Sequence, residues 1–264
     1  MPYVQKTYKW YNQKGPLGQK KMEYNANNLY DYFCKTYGYT KNALAGMLGN
    51  MQYESTINPA CWQGWKTNPA SRTLIRPGNI IRIPPTEDAY WKKFTYAGDG
   101  FGLVQWTQQK KFLGWFFAEA THTTTYAGGN WYHYQSLIDY NYQFNRQTGL
   151  YEYITSSDTP NTLNSWAYSY ELYRLIWEID NDQQWDSNLY HQTFAEFMHS
   201  TEPAYNLGVK FLHAYERPAE YHDEVRGAAA RKWYEFLGGT NPGVFYVWQA
   251  ASKPYWMGGK STHW

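Results

Sequence analysis

The sequence predicts a mostly helical α+β domain, and three observations carry that prediction. Apolar residues recur at helical spacing at positions 29, 32, 33 and 37, at 43, 44, 47, 48 and 51, and again at 172, 175, 176 and 179 and at 207, 211, 212 and 215. A β-type run, Asn79-Ile80-Ile81-Arg82-Ile83, stands between Pro77 and the pair Pro84-Pro85. Nowhere is there an apolar run of eighteen residues, so no membrane span is expected.

Residues 1–25 alternate Tyr, Lys, Trp and Gln around Gly15-Pro16-Leu17-Gly18 and read as an irregular arm docked on a neighbour. The first helix is predicted over Ala26–Tyr37, with Leu29, Tyr32, Phe33 and Tyr37 as its stripe and Gly38 as its stop. The second starts at Thr40, whose hydroxyl can cap the backbone NH groups two or three residues on. It cannot run past Asn58, because Pro59 has no NH and pushes the residue before it out of the α region. Glu54 therefore falls in its last turn or two, seven residues after Met47 and three after Met51, on or beside the apolar stripe.

Gln63 to Gly98, which also holds Pro69, suits a small β-hairpin or an extended loop. Gly98-Asp99-Gly100-Phe101-Gly102 lacks the strand, helix and downstream acid of a nucleotide fingerprint. These glycines instead let backbone pass close to a neighbouring group. Leu103 to Trp106 then feeds a helix over about Gln108–Glu119. Helices are expected at about Trp166–Asn181, Thr193–Ser200, Pro203–Tyr215 and Tyr221–Leu237, the last stopped by Gly238-Gly239. The aromatic tail beyond packs on the domain or on a partner.

Charged residues make up only 17% of the chain and aromatic residues 20%, with 28 Tyr and 14 Trp. Such rings suit sugar stacking and protein interfaces alike. A net charge of +2 is too mild for a nucleic-acid track. The lysines of the first fifteen residues precede no apolar h-region, so no signal peptide is expected. Cys34 and Cys61 exclude a disulfide framework and are expected as free, buried thiols. The seven histidines form no His-x-x-x-His pair, and no metal or other cofactor is implied.

Burial and the carbonyl end of the helix dipole both disfavour the charged form of an acid placed as Glu54 is. A carboxyl kept protonated near neutral pH is what a general acid needs in order to protonate a glycosidic oxygen. The plainer alternative is a boundary residue that reaches water at the end of its helix.

The stretch ALAGMLGNMQYESTINPACWQ, residues 43–63, followed by GFGLVQW at 100–106, resembles the signature of the phage tail lysozyme family. LIWEIDNDQQW, FAEFMHST, FLHAYERP and RGAAARKWYEFL resemble its remaining helices, so that the likeness covers residues 26–63, 98–118 and 171–237. It implies a lysozyme-like fold over 26–238, with a β-hairpin lobe bordering a sugar cleft and insertions at about 64–97 and 120–170. The arm at 1–25 and the tail at 239–264 flank it. As function it implies a virion-associated muramidase, carried on a phage tail, that cuts the β-1,4 linkage of the host cell wall during entry. Its partners would be peptidoglycan glycan strands and other tail proteins. No zinc endopeptidase, such as sometimes follows this domain, is expected from these residues.

On the resemblance, Glu54 is the proton donor, and Asp99, beside the glycine turn, is the first candidate for the second carboxylate. Asp99 also reads as an Asx-type turn residue, and Glu87 and Asp88 are weaker candidates. Gln105 and Trp106 would bind the sugar, and Tyr215 is placed like a tyrosine that contacts the acid. Trp106 facing the core is an equal alternative. Gln52 and Glu178 are of uncertain role, and Glu216 is expected to pair with Arg217. A lytic transglycosylase acting on the same linkage, or an inactive sugar-binding tail protein, remain as alternatives.

Overall fold

The computed structural model describes residues 4, 6, 8–12, 15–59, 61, 100, 102–106, 142–145, 150–153 and 165–239. Helix α1 runs Gln19–Leu29 and continues without a break into a π-helical stretch, Tyr30–Thr36. It ends at Gly38, whose φ of 74° a side chain would resist. The helix thus begins ahead of the expected Ala26. Met22 and Asn25 extend the buried stripe, which the outward Lys20, Lys21 and Glu23 disguise in the sequence. The preceding arm packs on its own domain: Trp10 is fully buried, and Asn25 Nδ2 donates to the carbonyls of Tyr11 (2.8 Å) and Ile57 (2.9 Å).

Helix α2, Lys41–Glu54, is the centre of the fold. Thr40 caps it as expected, its Oγ1 accepting from the Ala43 NH at 3.1 Å. Every residue from Ala43 to Met51 is buried, so α2 has no solvated face over that length and must be surrounded by other elements. It stops at Ser55, where Thr56 and Ile57 take φ of 52° and 53°. A left-handed conformation is costly for a β-branched residue, and the buried bond from Asn25 to the Ile57 carbonyl holds it.

An antiparallel pair, β1 (Tyr142–Asn145) and β2 (Leu150–Tyr153), sets Tyr142 opposite Tyr153 and Asn145 opposite Leu150. This pair lies inside the expected insertion at 120–170. The hairpin lobe expected at 64–97, the helix at 108–119 and the tail from 240 onward lie outside the described residues.

Five helices follow among the described residues: α3 (Ser165–Asp180), α4 (Ser187–Tyr190), α5 (Phe194–Met198), α6 (Ala204–Phe211) and α7 (Asp223–Phe236). A π-helical turn, Leu212–Glu216, prolongs α6. The expected helix beginning at Thr193 is present as α5, where Thr193 and Glu196 form a reciprocal capping box. The single-turn α4, capped by Asp186, has too few residues to show a period and was not anticipated. Trp185, Phe194, Phe197, Phe211 and Tyr215 form an aromatic cluster, with Trp185 stacked on Phe194 at 5.0 Å and Phe211 on Tyr215 at 4.5 Å. No described helix is long and apolar enough to cross a membrane.

Helices α6 and α7 press on α2 through small residues. A Cβ on Gly49 would lie 2.7 Å from the Ala230 nitrogen and 2.8 Å from the Arg226 carbonyl oxygen. Both are backbone atoms that cannot turn aside. Gly49→Ala is therefore expected to force α2 and α7 apart and to cost about 1–3 kcal/mol, the usual range for overpacking. Urea unfolding checks this, and an unchanged midpoint would show that the crossing is loose.

Candidate active site

The close crossing at Gly49 brings Arg226 of α7 beside Glu54, the last residue of α2. Arg226 Nη2 donates to Glu54 Oε1 at 2.6 Å and its Nη1 to the Asn50 carbonyl at 2.8 Å. The guanidinium also lies over the Tyr53 ring, 4.9 Å from its centroid. Asn50 Nδ2 ties α2 to α6 by donating to the carbonyls of Gly46 (3.0 Å) and Gly208 (2.8 Å). The Glu54 side chain keeps 23% of its surface exposed and that of Arg226 10%. Glu54 can thus be reached from solvent while its ion pair is largely covered.

The glycine turn docks on the residues that follow Glu54. Ser55 Oγ donates to the Leu103 carbonyl at 2.8 Å, and the Gly102 NH to the Cys61 carbonyl at 2.9 Å. Glu171 of α3 accepts from the Leu103 NH at 2.8 Å. Gly102 has φ 82°, and a Cβ there would meet the Trp106 ring at 2.8 Å and Glu171 Oε2 at 2.9 Å, so both conformation and space demand glycine.

Gln105 is buried, its Nε2 donating to the carbonyls of Cys61 (3.1 Å) and Gly102 (3.0 Å). Trp106 and Tyr215 are also buried, and the polar end of each is committed to Glu178. Trp106 Nε1 donates to Glu178 Oε1 at 3.0 Å and Tyr215 OH to Oε2 at 2.5 Å, while Arg174 Nε completes the cluster at 2.8 Å. Burial pushes the Glu178 carboxyl up, against the pull of Arg174, Tyr215 and Trp106. Gln52 is half-buried, its Oε1 accepting from Trp233 Nε1 at 2.9 Å.

Glu216 does not form the expected pair with Arg217 among the described residues. Arg217 ends the π-turn in a left-handed conformation, φ 48°, with its side chain exposed, and this turns the two side chains apart. Glu216 points inward, with Oε1 sealed from solvent and without a hydrogen-bond partner. Burial raises its carboxyl well above the usual range, and the negative charge of Glu54 adds to this; Arg226 opposes it, and Glu178 raises it further. Cys34 and Cys61 are both free. Cys61 is buried as expected, but Cys34, within the π-helical stretch, is only half-buried. Burial pushes the Cys34 thiol up to about 11. For Cys61, burial acts together with the nearby Glu171 and Glu54 carboxyls.

The sequence profile of phage tail lysozymes matches residues 24–171 and 140–237, most of the chain. The chain belongs to the phage tail lysozyme family. Morphogenesis protein 1 of Bacillus phage B103 is 32% identical over 230 residues, which are 87% of this chain and 44% of that relative. The chain therefore spans less than half the length of that relative.

In this tail lysozyme domain, Glu54 and the glycine turn lie together at the C-terminal end of α2. Asp99, Glu87 and Asp88 fall outside the described residues. Two charged neighbours of Glu54 escaped sequence reasoning. Arg226 carried a usable signal, since an arginine beside Gly227, Ala229 and Ala230 stands on a face built for close helix contact. Glu216 carried none, because the wider π-turn rotates it away from where α-helical spacing would put it.

Proposed function

We propose that this domain is a peptidoglycan muramidase of a phage virion, acting on the β-1,4 glycan linkage of the host wall during entry. The observation that carries the reading is a solvent-reachable Glu54 at the end of the central helix, beside a glycine turn docked on Ser55, in a member of the tail lysozyme family. In this reading Glu54 protonates the glycosidic oxygen as the bond to the anomeric carbon breaks. Asp99, one residue before Gly100 of the same turn, is the proposed second carboxylate, which activates water or stabilises the oxocarbenium-like transition state. Gln105, Trp106 and Tyr215 support the turn and α6 from behind, and their contribution to sugar binding is through that support. The small β-lobe of a lysozyme-like fold and contacts with other tail proteins belong to the same proposal.

Incubation with purified cell wall is expected to release soluble muropeptides and new reducing ends, and neither appearing would remove the enzyme reading. The Glu54–Arg226 ion pair is the observation that favours a non-cleaving tail protein instead, since it engages the proposed acid. Product mass separates hydrolysis from transglycosylation. Hydrolysis leaves a reducing muramic acid, whereas transglycosylation leaves a 1,6-anhydro sugar lighter by one water. The hydrated product is expected, with Asp99→Asn strongly slowing its formation. Anhydro ends together with a nearly neutral Asp99→Asn would assign the chemistry to Glu54 alone.

A further inference from the structure

Tyr53 and Glu54 are neighbours in the last turn of α2, and Arg226 touches both, with Nη2 on Glu54 Oε1 at 2.6 Å and its guanidinium 4.9 Å from the Tyr53 ring centroid. A cation thus steadies the ring, while Tyr53 stays 50% exposed. Beside it runs a groove of about 410 Å³ between α2 and α7, the size of a small-ligand site. Along α7, Glu224, Ala228 and Lys232 follow at i, i+4 and i+8 and share one stripe of the groove, with Val225 and Ala229 on the next. The small alanines leave the hollow. Glu224 and Lys232 are exposed at its two ends, about 12 Å apart along the helix axis. Neither has a hydrogen-bond or ion-pair partner among the described residues. Gln52 accepts from Trp233 through Oε1, which leaves its amide NH₂ as a donor. A neutral sugar ring has no charge to offer either end of this groove. A peptide with a carboxylate and an amine has one for each.

We propose that this groove is a subsite for the peptide stem that hangs from muramic acid in peptidoglycan, with Lys232 receiving a carboxylate of the stem and Glu224 an amine. The choice of ligand rests on the muramidase reading, because a glycan strand cut at Glu54 carries its stem past Tyr53. Such a stem begins on the lactyl group of muramic acid with alanine. A glutamate joined through its side-chain carboxyl follows, so that its α-carboxylate is free, and then a diamino acid with a free amine. Three extended residues span at most about 10–11 Å, and the Glu224 and Lys232 side chains close the remainder. The alanine methyl suits the apolar floor of Val225, Ala228 and Ala229, and the amide of Gln52 can donate to a stem carbonyl. Exposed charges add little affinity each, but together they select the charge pattern of what is bound.

NMR titration of the nitrogen-15-labelled full chain tests this without catalysis, with N-acetylmuramyl-L-alanyl-γ-D-glutamyl-L-lysine as the probe and N-acetylmuramic acid as its stem-free control. The stem-bearing probe is expected to bind roughly tenfold tighter, with amide shifts at Tyr53, Ala228 and Lys232. Equal affinities, or shifts that leave those three residues unmoved, would overturn the proposal. Charge recognition is read by pairing each variant with a matched probe. Lys232→Gln should weaken the glutamate-bearing stem by about two- to fivefold and spare the same stem with that carboxylate amidated. Glu224→Gln should weaken the lysine-ending stem by about the same factor and spare the one that stops at glutamate. Both side chains are exposed, and free-protein spectra that superpose on the unaltered one confirm the fold. A loss of equal size for both members of a pair would show that the charge is not read, and would overturn the proposal. If the unaltered protein cleaves no wall, the muramidase reading fails while the titration still decides the groove. Cleavage of wall together with equal affinities for the two probes would leave that reading standing and remove the groove as a stem subsite.

Discussion

Glu54→Gln is expected to reduce wall cleavage by about 10²–10⁴-fold, the usual contribution of a positioned general acid, while the protein stays folded. The amide has the shape of the acid, and its oxygen can still accept from Arg226 Nη2, now 2.6 Å from Glu54 Oε1. It cannot deliver a proton to a leaving oxygen. Arg226 would lose a charged partner but keep the Asn50 carbonyl at 2.8 Å and its place over the Tyr53 ring. The loss of stability should accordingly be about 1.5–3 kcal/mol at most, the range for a hydrogen bond to a charged group, against the 5–15 kcal/mol typical of a domain. Muropeptide release by the variant, with circular dichroism and urea unfolding alongside, separates the two effects. Activity within a few-fold of the unaltered protein would place the acid elsewhere in the chain.

The parts of this fold that were legible in the sequence are those that local chemistry decides. Thr40 caps α2 because its hydroxyl lies where a free backbone NH needs it, and Pro59 bounds the same helix for want of an NH. Those two residues place Glu54 near the helix end, and the left-handed Thr56 and Ile57 fix the stop at Ser55. The glycine turn was legible as a close approach of backbone, and Gly102 meets Trp106 and Glu171 as such a turn should. What was not legible depends on residues far apart in the chain. Trp106 is equally at home on a sugar and in a core until Glu178 offers its carboxylate, 72 positions away. Tyr215 is drawn to the same carboxylate and so contacts an acid other than the one expected. Arg226 reaches Glu54 only because α7 crosses α2 at a glycine, a feature of two surfaces together.

Helix register set a second limit. The π-helical stretches at Tyr30–Thr36 and Leu212–Glu216 each place side chains differently from a 3.6-residue period. In the second of these, Glu216 Oε1 is sealed from solvent while Arg217 is left outside. A reading based on α-helical spacing therefore joins two neighbours that the backbone separates.

Glu178→Ala is expected to be the most destabilising single substitution among the site's supporting residues, at about 3–5 kcal/mol, the range for breaking a buried ion pair from one side. Arg174, Trp106 and Tyr215 would all lose the acceptor they share, and each lies in the interior, where water cannot replace it. At about 2–4 °C per kcal/mol for a chain of this size, Tm should fall by roughly 10 °C. Trp106→Phe, which deletes one of the three bonds and keeps most of the ring packing, should cost only about 1 kcal/mol. The paired replacement Glu178→Met with Arg174→Leu removes both charges together and should be far less damaging than Glu178→Ala, because no charge is then left buried without its partner. The glycine turn adds a functional readout. Trp106 is anchored to Glu178, and the neighbouring Leu103 carbonyl receives Ser55, so loosening the anchor should also lower wall cleavage at temperatures where the protein is still folded. A Glu178→Ala protein within 1 kcal/mol of the unaltered one would mean that Trp106 and Tyr215 are held by packing alone, and that the carboxylate at the centre of this cluster is dispensable to the fold.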